Sequence, residues 1–168
     1  AIMAPSVLTA RPSTFNAQFL AAADTGFAFM DSVASAANRQ IEGKNLWLRG
    51  FGAIGKRSAS GSTLGYDHGS YGMSGGVTIA VAENTVVGAA IGWAKGDIDL
   101  GSNGGGGDQS SVLASLYARY NADGFRLSAG ALYGNVDQST LRNVSFNGFS
   151  ASVGGDTKSD LYGGYLGL

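Results

Sequence analysis

Thr85-Val-Val-Gly-Ala-Ala-Ile-Gly-Trp-Ala-Lys-Gly-Asp97 decides the fold class. Its odd positions, Thr85, Val87, Ala89, Ile91 and Trp93, form a large apolar row, while Val86, Gly88, Ala90, Gly92 and Ala94 between them are mostly tiny. Side chains alternate across a β-strand with period two, so this stretch predicts a strand whose two faces meet different surroundings. The rule recurs on both sides. Val112, Ala114, Leu116, Ala118 and Tyr120 oppose Ser115, Tyr117 and Arg119. Phe125, Leu127, Ala129, Ala131 and Tyr133 oppose Arg126, Ser128, Gly130, Leu132 and Gly134, and Tyr71, Met73, Val77 and Ile79 oppose Gly72, Ser74, Gly76 and Thr78.

The connections alternate in length. Ala82-Glu-Asn84 and Asn121-Ala-Asp-Gly124 read as tight hairpin turns, whereas 55–70, 96–110 and 137–158 read as long polar loops. Short turns at one end and long loops at the other are the plan of outer-membrane barrels. Such a barrel carries aromatic girdles where its strands cross the two lipid interfaces. Tyr120 and Phe125 flank a short turn, and Tyr71, Trp93 and Tyr133 fall on the same face near the long loops. Eight residues at about 3.3 Å each, tilted by roughly 40°, rise about 20 Å, near the height of an apolar membrane band.

Composition agrees. Glycine supplies 28 of 168 residues, one in six, against roughly 7% in an ordinary chain. Charged residues are 14%, hydrophobic ones 44%, and the net charge is -1, so intrinsic disorder, a nucleic-acid partner and a lipid-gripping basic arm are all disfavoured. With no cysteine, disulfides, thiolate metal sites and cysteine nucleophiles are excluded. The chain lacks an apolar run of about 18 residues that could span a membrane as a helix.

The amino-terminal segment has a different period. Pro12, Ser13 and Thr14 suit a helix start, and Phe15, Phe19, Ala23, Phe27, Met30 and Val33 recur at steps of three and four, so a helix is expected over 13–42, closing near Gly43. A helix inside the barrel would explain the rows of small inward residues, Gly88 and Gly92 among them, because glycine in a strand marks close approach of another backbone. Asp24, Asp31 and Glu42 are then expected to pair with inward Arg49, Arg119 and Arg126, although these arginines could equally line a hydrated pore. Trp47 shares a face with Arg49 and Phe51, which puts it inside, while its place near the short-turn rim also suits the girdle.

At Leu46-Trp-Leu-Arg-Gly-Phe-Gly-Ala-Ile-Gly55, Leu64-Gly-Tyr-Asp-His-Gly-Ser-Tyr-Gly72, Gly75-Gly-Val-Thr-Ile79 and Val87-Gly-Ala-Ala-Ile-Gly-Trp93 the sequence resembles the translocator (β) domain of autotransporters, the type V secretion proteins of Gram-negative bacteria. Weaker likeness continues through Leu116-Tyr-Ala-Arg-Tyr120, Gly130-Ala-Leu-Tyr-Gly134 and Asp160-Leu-Tyr-Gly-Gly-Tyr165. The resemblance implies an all-β, antiparallel transmembrane barrel with a helix in its lumen, secreting an amino-terminal passenger across the outer membrane. It further implies outer-membrane lipid, the chain's own passenger and the barrel assembly machinery as partners. On that pattern 1–12 is a linker from the passenger, 13–42 the linker helix in the pore, and 43–168 a partial barrel. Only about six strands can be counted against twelve in the family, so the amino-terminal half is expected, closed by further strands or another chain. The paired asparagine at which some relatives cut their own linker has no counterpart here, since Asn38 and Asn45 are single.

No chemistry-bearing motif competes well. Gly50-Phe-Gly-Ala-Ile-Gly55 spells a dinucleotide fingerprint, but Lys56-Arg-Ser-Ala-Ser-Gly-Ser62 lacks the helical period that must follow it. Gly104 to Gly107 is followed by no Gly-Lys-Ser/Thr. His68, the sole histidine, reads as a loop residue, and Asp97, Asp99 and Asp108 as a solvated loop rather than a calcium site. No catalytic, cofactor or metal site is therefore expected. Two other classes remain open: a porin or surface adhesin barrel with ligand-binding external loops, and a soluble glycine-rich barrel enzyme.

Overall fold

The computed structural model describes residues 13–39, 42–58, 66–99, 105–146 and 149–168. One helix, α1 (Ser13–Ala37), precedes six strands: β1 (Lys44–Arg57), β2 (Tyr66–Ala82), β3 (Thr85–Asp99), β4 (Gly106–Ala122), β5 (Phe125–Phe146) and β6 (Phe149–Gly167). The strands form one antiparallel meander in chain order, and α1 touches all six. The sheet is unclosed, with β1 and β6 each paired on one side among the described residues. Among those residues no helix is long and apolar enough to cross a membrane. The expected linker at 1–12 lies outside them.

The short turns are two-residue hairpins. Asp123-Gly124 joins β4 to β5 with Gly124 at φ 74°, the left-handed conformation that such turns demand, and Glu83-Asn84 joins β2 to β3 beside a register shift between Ala80 and Ala82. The long connections are shorter than their polarity suggests. Most of 137–158 is strand, as β5 and β6 stay paired from Ser128↔Gly167 to Phe146↔Phe149. Its inward side chains are polar where they are packed, Gln138 being buried against α1, and polar on both faces reads as loop from sequence period alone.

The two faces divide as alternation predicts. Val87, Ile91, Trp93, Val112, Leu116 and Tyr133 are exposed on the outer face. Val86, Ala90, Ala94, Leu113, Tyr117 and Leu132 are buried on the inner one. The core is the space between that inner face and α1, centred on Phe29, Met30, Val33 and Ala37 with Ala90, Leu113, Tyr117 and Leu132.

α1 departs from expectation in two ways. It ends at Ala37, five residues short of Glu42, where Asn38 and Arg39 return their amides to Ala34 and Ala36. Its buried stripe is Ala21, Thr25, Phe29, Val33 and Ala36 with their neighbours; Phe19 (68% exposed) and Phe27 (70%) face away from the six strands. Steps of four starting from Phe19 and from Ala21 give two parallel stripes on one helix, and the bulkier one is not the one seated.

The inward glycines serve the sheet as much as the helix. Tyr117 lies across Gly88, Phe51 across Gly72 and Tyr165 across Gly130, each on its direct cross-strand partner. A methyl at Gly76 would stand 2.7 Å from the Trp47 ring, again its direct partner. Among the described strand residues only Gly92 meets the helix in this way, a methyl there falling 2.6 Å from the Phe29 ring. From the helix side, a methyl at Gly26 would meet Leu161 at 2.7 Å.

Gly88→Ala should therefore force Tyr117 from its place and lower stability by about 1–3 kcal/mol, the usual cost of overpacking. Gly69→Ala, where an added methyl meets nothing within 4 Å, should stay within about 0.5 kcal/mol of the parent. The temperature at which the folded form loses its fast electrophoretic mobility in detergent measures both.

Candidate functional site

The seat of α1 against the inner wall is the built site of this molecule, and three levels of contact run along it. At the long-loop end, Gln18 Nε2 donates to Thr140 Oγ1 (2.9 Å), and Gln138 Nε2 donates to the Gln18 carbonyl (3.0 Å) and to Gln109 Oε1 (2.9 Å). Gln109 Nε2 donates onward to Thr25 Oγ1 at 3.2 Å, and Thr25 Oγ1 donates to Ser70 Oγ at 3.0 Å. Inward alternation on β2, β4 and β5 brings these neutral side chains to one depth, and each buried polar group finds a partner, as low-dielectric surroundings require.

Midway, Phe29 is fully buried, edge-on to Phe51 at 5.7 Å, and Ser32 Oγ lies 2.8 Å from Ser74 Oγ. Arg49 Nη1 reaches the Ser32 carbonyl at 3.4 Å. At the short-turn end, Arg119 Nη1 donates to the carbonyls of Ala37 (2.6 Å) and Arg39 (3.0 Å). These carbonyls belong to the last turn of α1 and its exit, where unpaired acceptors and the negative end of the helix dipole favour a cation. Trp47 lies inside, its Nε1 donating to Tyr117 Oη at 2.9 Å, with Thr78 Oγ1 2.6 Å from the same oxygen.

The carboxylates expected to meet these arginines do not do so. Asp31 and Glu42 are exposed, as is Arg126, and Asp24 faces His68 instead, with Oδ2 3.0 Å from His68 Nε2. The arginines reach backbone oxygens because the helix terminates beside them, a pairing with no signature in residue type. His68 is corrected from a loop position: β2 begins at Tyr66, so His68 falls in the inward row with Ser70 and Ser74 and is buried, its ring over Gly55. Gly88 and Gly92 line the inner wall, under Tyr117 and Phe29 respectively.

The outer face has its own order. Tyr71, Trp93, Tyr120, Phe125 and Tyr133 are all exposed on it, in two tiers flanking Val87, Ile91 and Leu116. Tyr162 joins the upper tier, 5.4 Å from Tyr133 ring to ring, and Lys95 Nζ lies 5.5 Å from the Trp93 ring. Asp97, Asp99 and Asp108 stand on strands beyond this tier, exposed and with Asp97 directly opposite Asp108. Among the described residues no group of three or more histidine or acidic side chains could hold a metal ion. Gly50 to Gly55 lies within β1, a strand that runs on to Arg57.

Comparison with protein families matches the autotransporter β-domain over residues 46–168. Among solved structures the chain is similar to the translocator domain of the autotransporter NalP from Neisseria meningitidis, at 16% identity and a TM-score of 0.71. The match covers 90% of this chain and 53% of that one, so this chain spans about half the length of its structural relative. A comparison with curated proteins finds no match.

Arg119→Met should leave the carbonyls of Ala37 and Arg39 without their donor and loosen the last turn of α1 by about 1.5–3 kcal/mol, the worth of hydrogen bonds to a charged group. Hydrogen exchange at the amides of Val33 to Ala37 should accelerate accordingly. Arg126→Ala, at an exposed position, should leave those amides unchanged.

Proposed function

Because the chain belongs to the autotransporter β-domain family, we propose that it is the amino-terminal half of an outer-membrane translocator that carries an amino-terminal passenger to the surface of a Gram-negative cell. The observation that carries this reading is the seating of α1. Neutral polar and arginine contacts hold a helix along the inner wall from the Gln18 level to the Ala37 level, while the outer face of the same strands is apolar. A helix so held closes a passage without any chemical step, and its amino terminus leaves at the long-loop end, the external end of outer-membrane barrels. A passenger preceding residue 13 would then emerge outside, with 1–12 as its junction.

The outer wall supports lipid as the surrounding medium. Apolar side chains between two aromatic tiers match the band and girdles of membrane barrels, and paired strands satisfy backbone groups that hydrocarbon cannot. The free edges of β1 and β6 need further strands to close, which suits a chain about half the length of its relative. Insertion by the barrel assembly machinery follows from this reading. It requires neither catalysis nor a cofactor from the described residues.

Two measurements test it. A passenger placed upstream of residue 1 in the full protein should become protease-accessible on intact cells, and deletion of 13–37 should abolish that exposure; a passenger that remains internal with the barrel assembled sinks the proposal. Ile91→Arg, in the middle of the apolar band, should cost about 2–4 kcal/mol of folding stability in lipid, while Asp97→Arg beyond the upper aromatic tier should cost at most about 1 kcal/mol.

A further inference from the structure

His68 is a buried titratable side chain that the helix seat leaves without a hydrogen bond. It lies on the inner face of β2, 5% exposed, and neither ring nitrogen makes a hydrogen bond. Its Nε2 nevertheless lies 3.0 Å from Asp24 Oδ2 of α1. Among the described residues this is the only acid–base contact between α1 and the wall; the other two ion pairs, Lys56 with Asp67 and Lys158 with Asp137, lie on exposed strand positions.

The surroundings isolate the pair. From α1 the ring meets Asp24, whose side chain is 44% exposed; Asp31, two turns on, is exposed and makes no ion pair with the wall. From β1 it covers Gly55, and the neighbouring Lys56 is committed to Asp67 on the outer face. On β2 itself the Tyr66 ring stacks at 5.9 Å. From β3 its cross-strand neighbour is Ile98, with Asp97 and Asp99 exposed on the other face. Among the described side chains Asp24 is therefore the single charged group facing the ring from inside; on β1, Arg57 stands in register opposite Tyr66, two positions from Gly55. Histidine is the side chain that changes charge between pH 5 and 8, a range in which an aspartate beside it stays ionised. The imidazole is enclosed while the Asp24 carboxylate is half-exposed, so the attraction between the two charges is screened in part.

We propose that His68 and Asp24 form a proton-dependent latch that fastens the long-loop end of α1 to the wall. With the imidazole protonated, opposite charges face each other across 3.0 Å and hold the helix. When the proton is lost, the ring is neutral, the charge attraction disappears, and the outer half of α1 is held by the neutral glutamine and threonine contacts and by the packing of Ala21 with Ile98 and Tyr66. The sign follows directly: the latch is closed at low pH and released as pH rises. Its position suits such a sensor, because Asp24 and His68 lie at the long-loop end, which the proposed function places toward the external medium. The inference rests on α1 occupying the lumen, as that function requires.

The chain contains no cysteine, so a single introduced thiol reports opening of the seat. In the full-length membrane-inserted protein, Ala22→Cys, at a position 7% exposed and two residues outward of Asp24 on α1, is labelled with a maleimide at pH 5.5 and pH 8.0. Each rate is divided by that of the same chain unfolded in denaturant at the same pH, which removes the thiol's own ionisation. The normalised rate should rise about tenfold from pH 5.5 to pH 8.0, within the usual range of a coupling between two sites. In His68→Gln and separately in Asp24→Asn it should be the same at both pH values and match the parent at pH 8.0. Asp24→Asn changes a half-exposed side chain and keeps its shape, so it stands as the test should His68→Gln fail to assemble. Strong protection without pH dependence in the parent, or pH dependence that survives in either variant, overturns the latch. A normalised rate near one at both pH values overturns the lumenal position of α1, and the translocator reading with it.

Discussion

Everything inside this molecule is shaped by one spatial constraint: a helix must lie close to a wall that also has to carry side chains every second residue. Six strands present inward rows to α1, and the conflict is resolved by laying rings sideways. Trp47, Phe51, His68, Tyr117 and Tyr165 each rest on a glycine of the neighbouring strand, Gly76, Gly72, Gly55, Gly88 and Gly130. A ring placed on its cross-strand neighbour runs along the wall instead of standing out from it, so it supplies apolar contact without filling the space the helix needs. Cross-strand pairing is also the unit by which a sheet gains stability. The same arrangement therefore stiffens the wall and keeps it thin.

Charge is placed with equal economy. The neutral chain Gln18, Gln138, Gln109, Thr25 and Ser70 joins helix to wall at one end, where fully satisfied amides and hydroxyls need no counter-ion. At the other end Arg119 meets backbone oxygens rather than a carboxylate. Burying a carboxylate as well would add a second desolvation penalty, whereas the helix terminus already presents acceptors with partial negative charge. Asp24 with His68 is the exception, and it lies where one partner can give up its charge.

The strand periodicity was legible because an outer wall of large apolar residues and an inner wall of small ones leave no other reading of Thr85 to Asp97. The register of the faces followed from it, and so did the outward exposure of Tyr71, Trp93, Tyr120, Phe125 and Tyr133. The helix was legible as a helix, but its seated stripe was not. Size favours the Phe19–Phe27 row, whereas the wall admits Phe29, the ring for which Gly92 leaves room. His68 was misread for a related reason. Its neighbours Gly69 and Ser70 have loop composition, and only the start of β2 at Tyr66 settles which way the imidazole points. The arginine contacts could not be read at all, since backbone carbonyls have no residue identity.

The two ends of the sheet are chemically unlike, and this gives the helix a direction. At one end the strands close through two-residue turns just past Tyr120 and Phe125. At the other they continue beyond Tyr71, Trp93 and Tyr133 into rows where Asp97 stands directly opposite Asp108, and Asp67 opposite Asp99. Like charges directly opposed weaken a sheet unless water screens them, so these rows fix where the apolar band stops. α1 runs from the acidic end, where Gln18 is held by Gln138 and Thr140, to the turn end, where Arg119 receives it. Polarity of the wall and polarity of the helix thus coincide: Arg119 donates to the helix carboxyl end at the turn end, and the glutamine chain holds the helix at the other. A helix inserted the opposite way would bring its carbonyl end toward the acidic rows and leave Arg119 facing the amide end, an arrangement electrostatics disfavours at both termini.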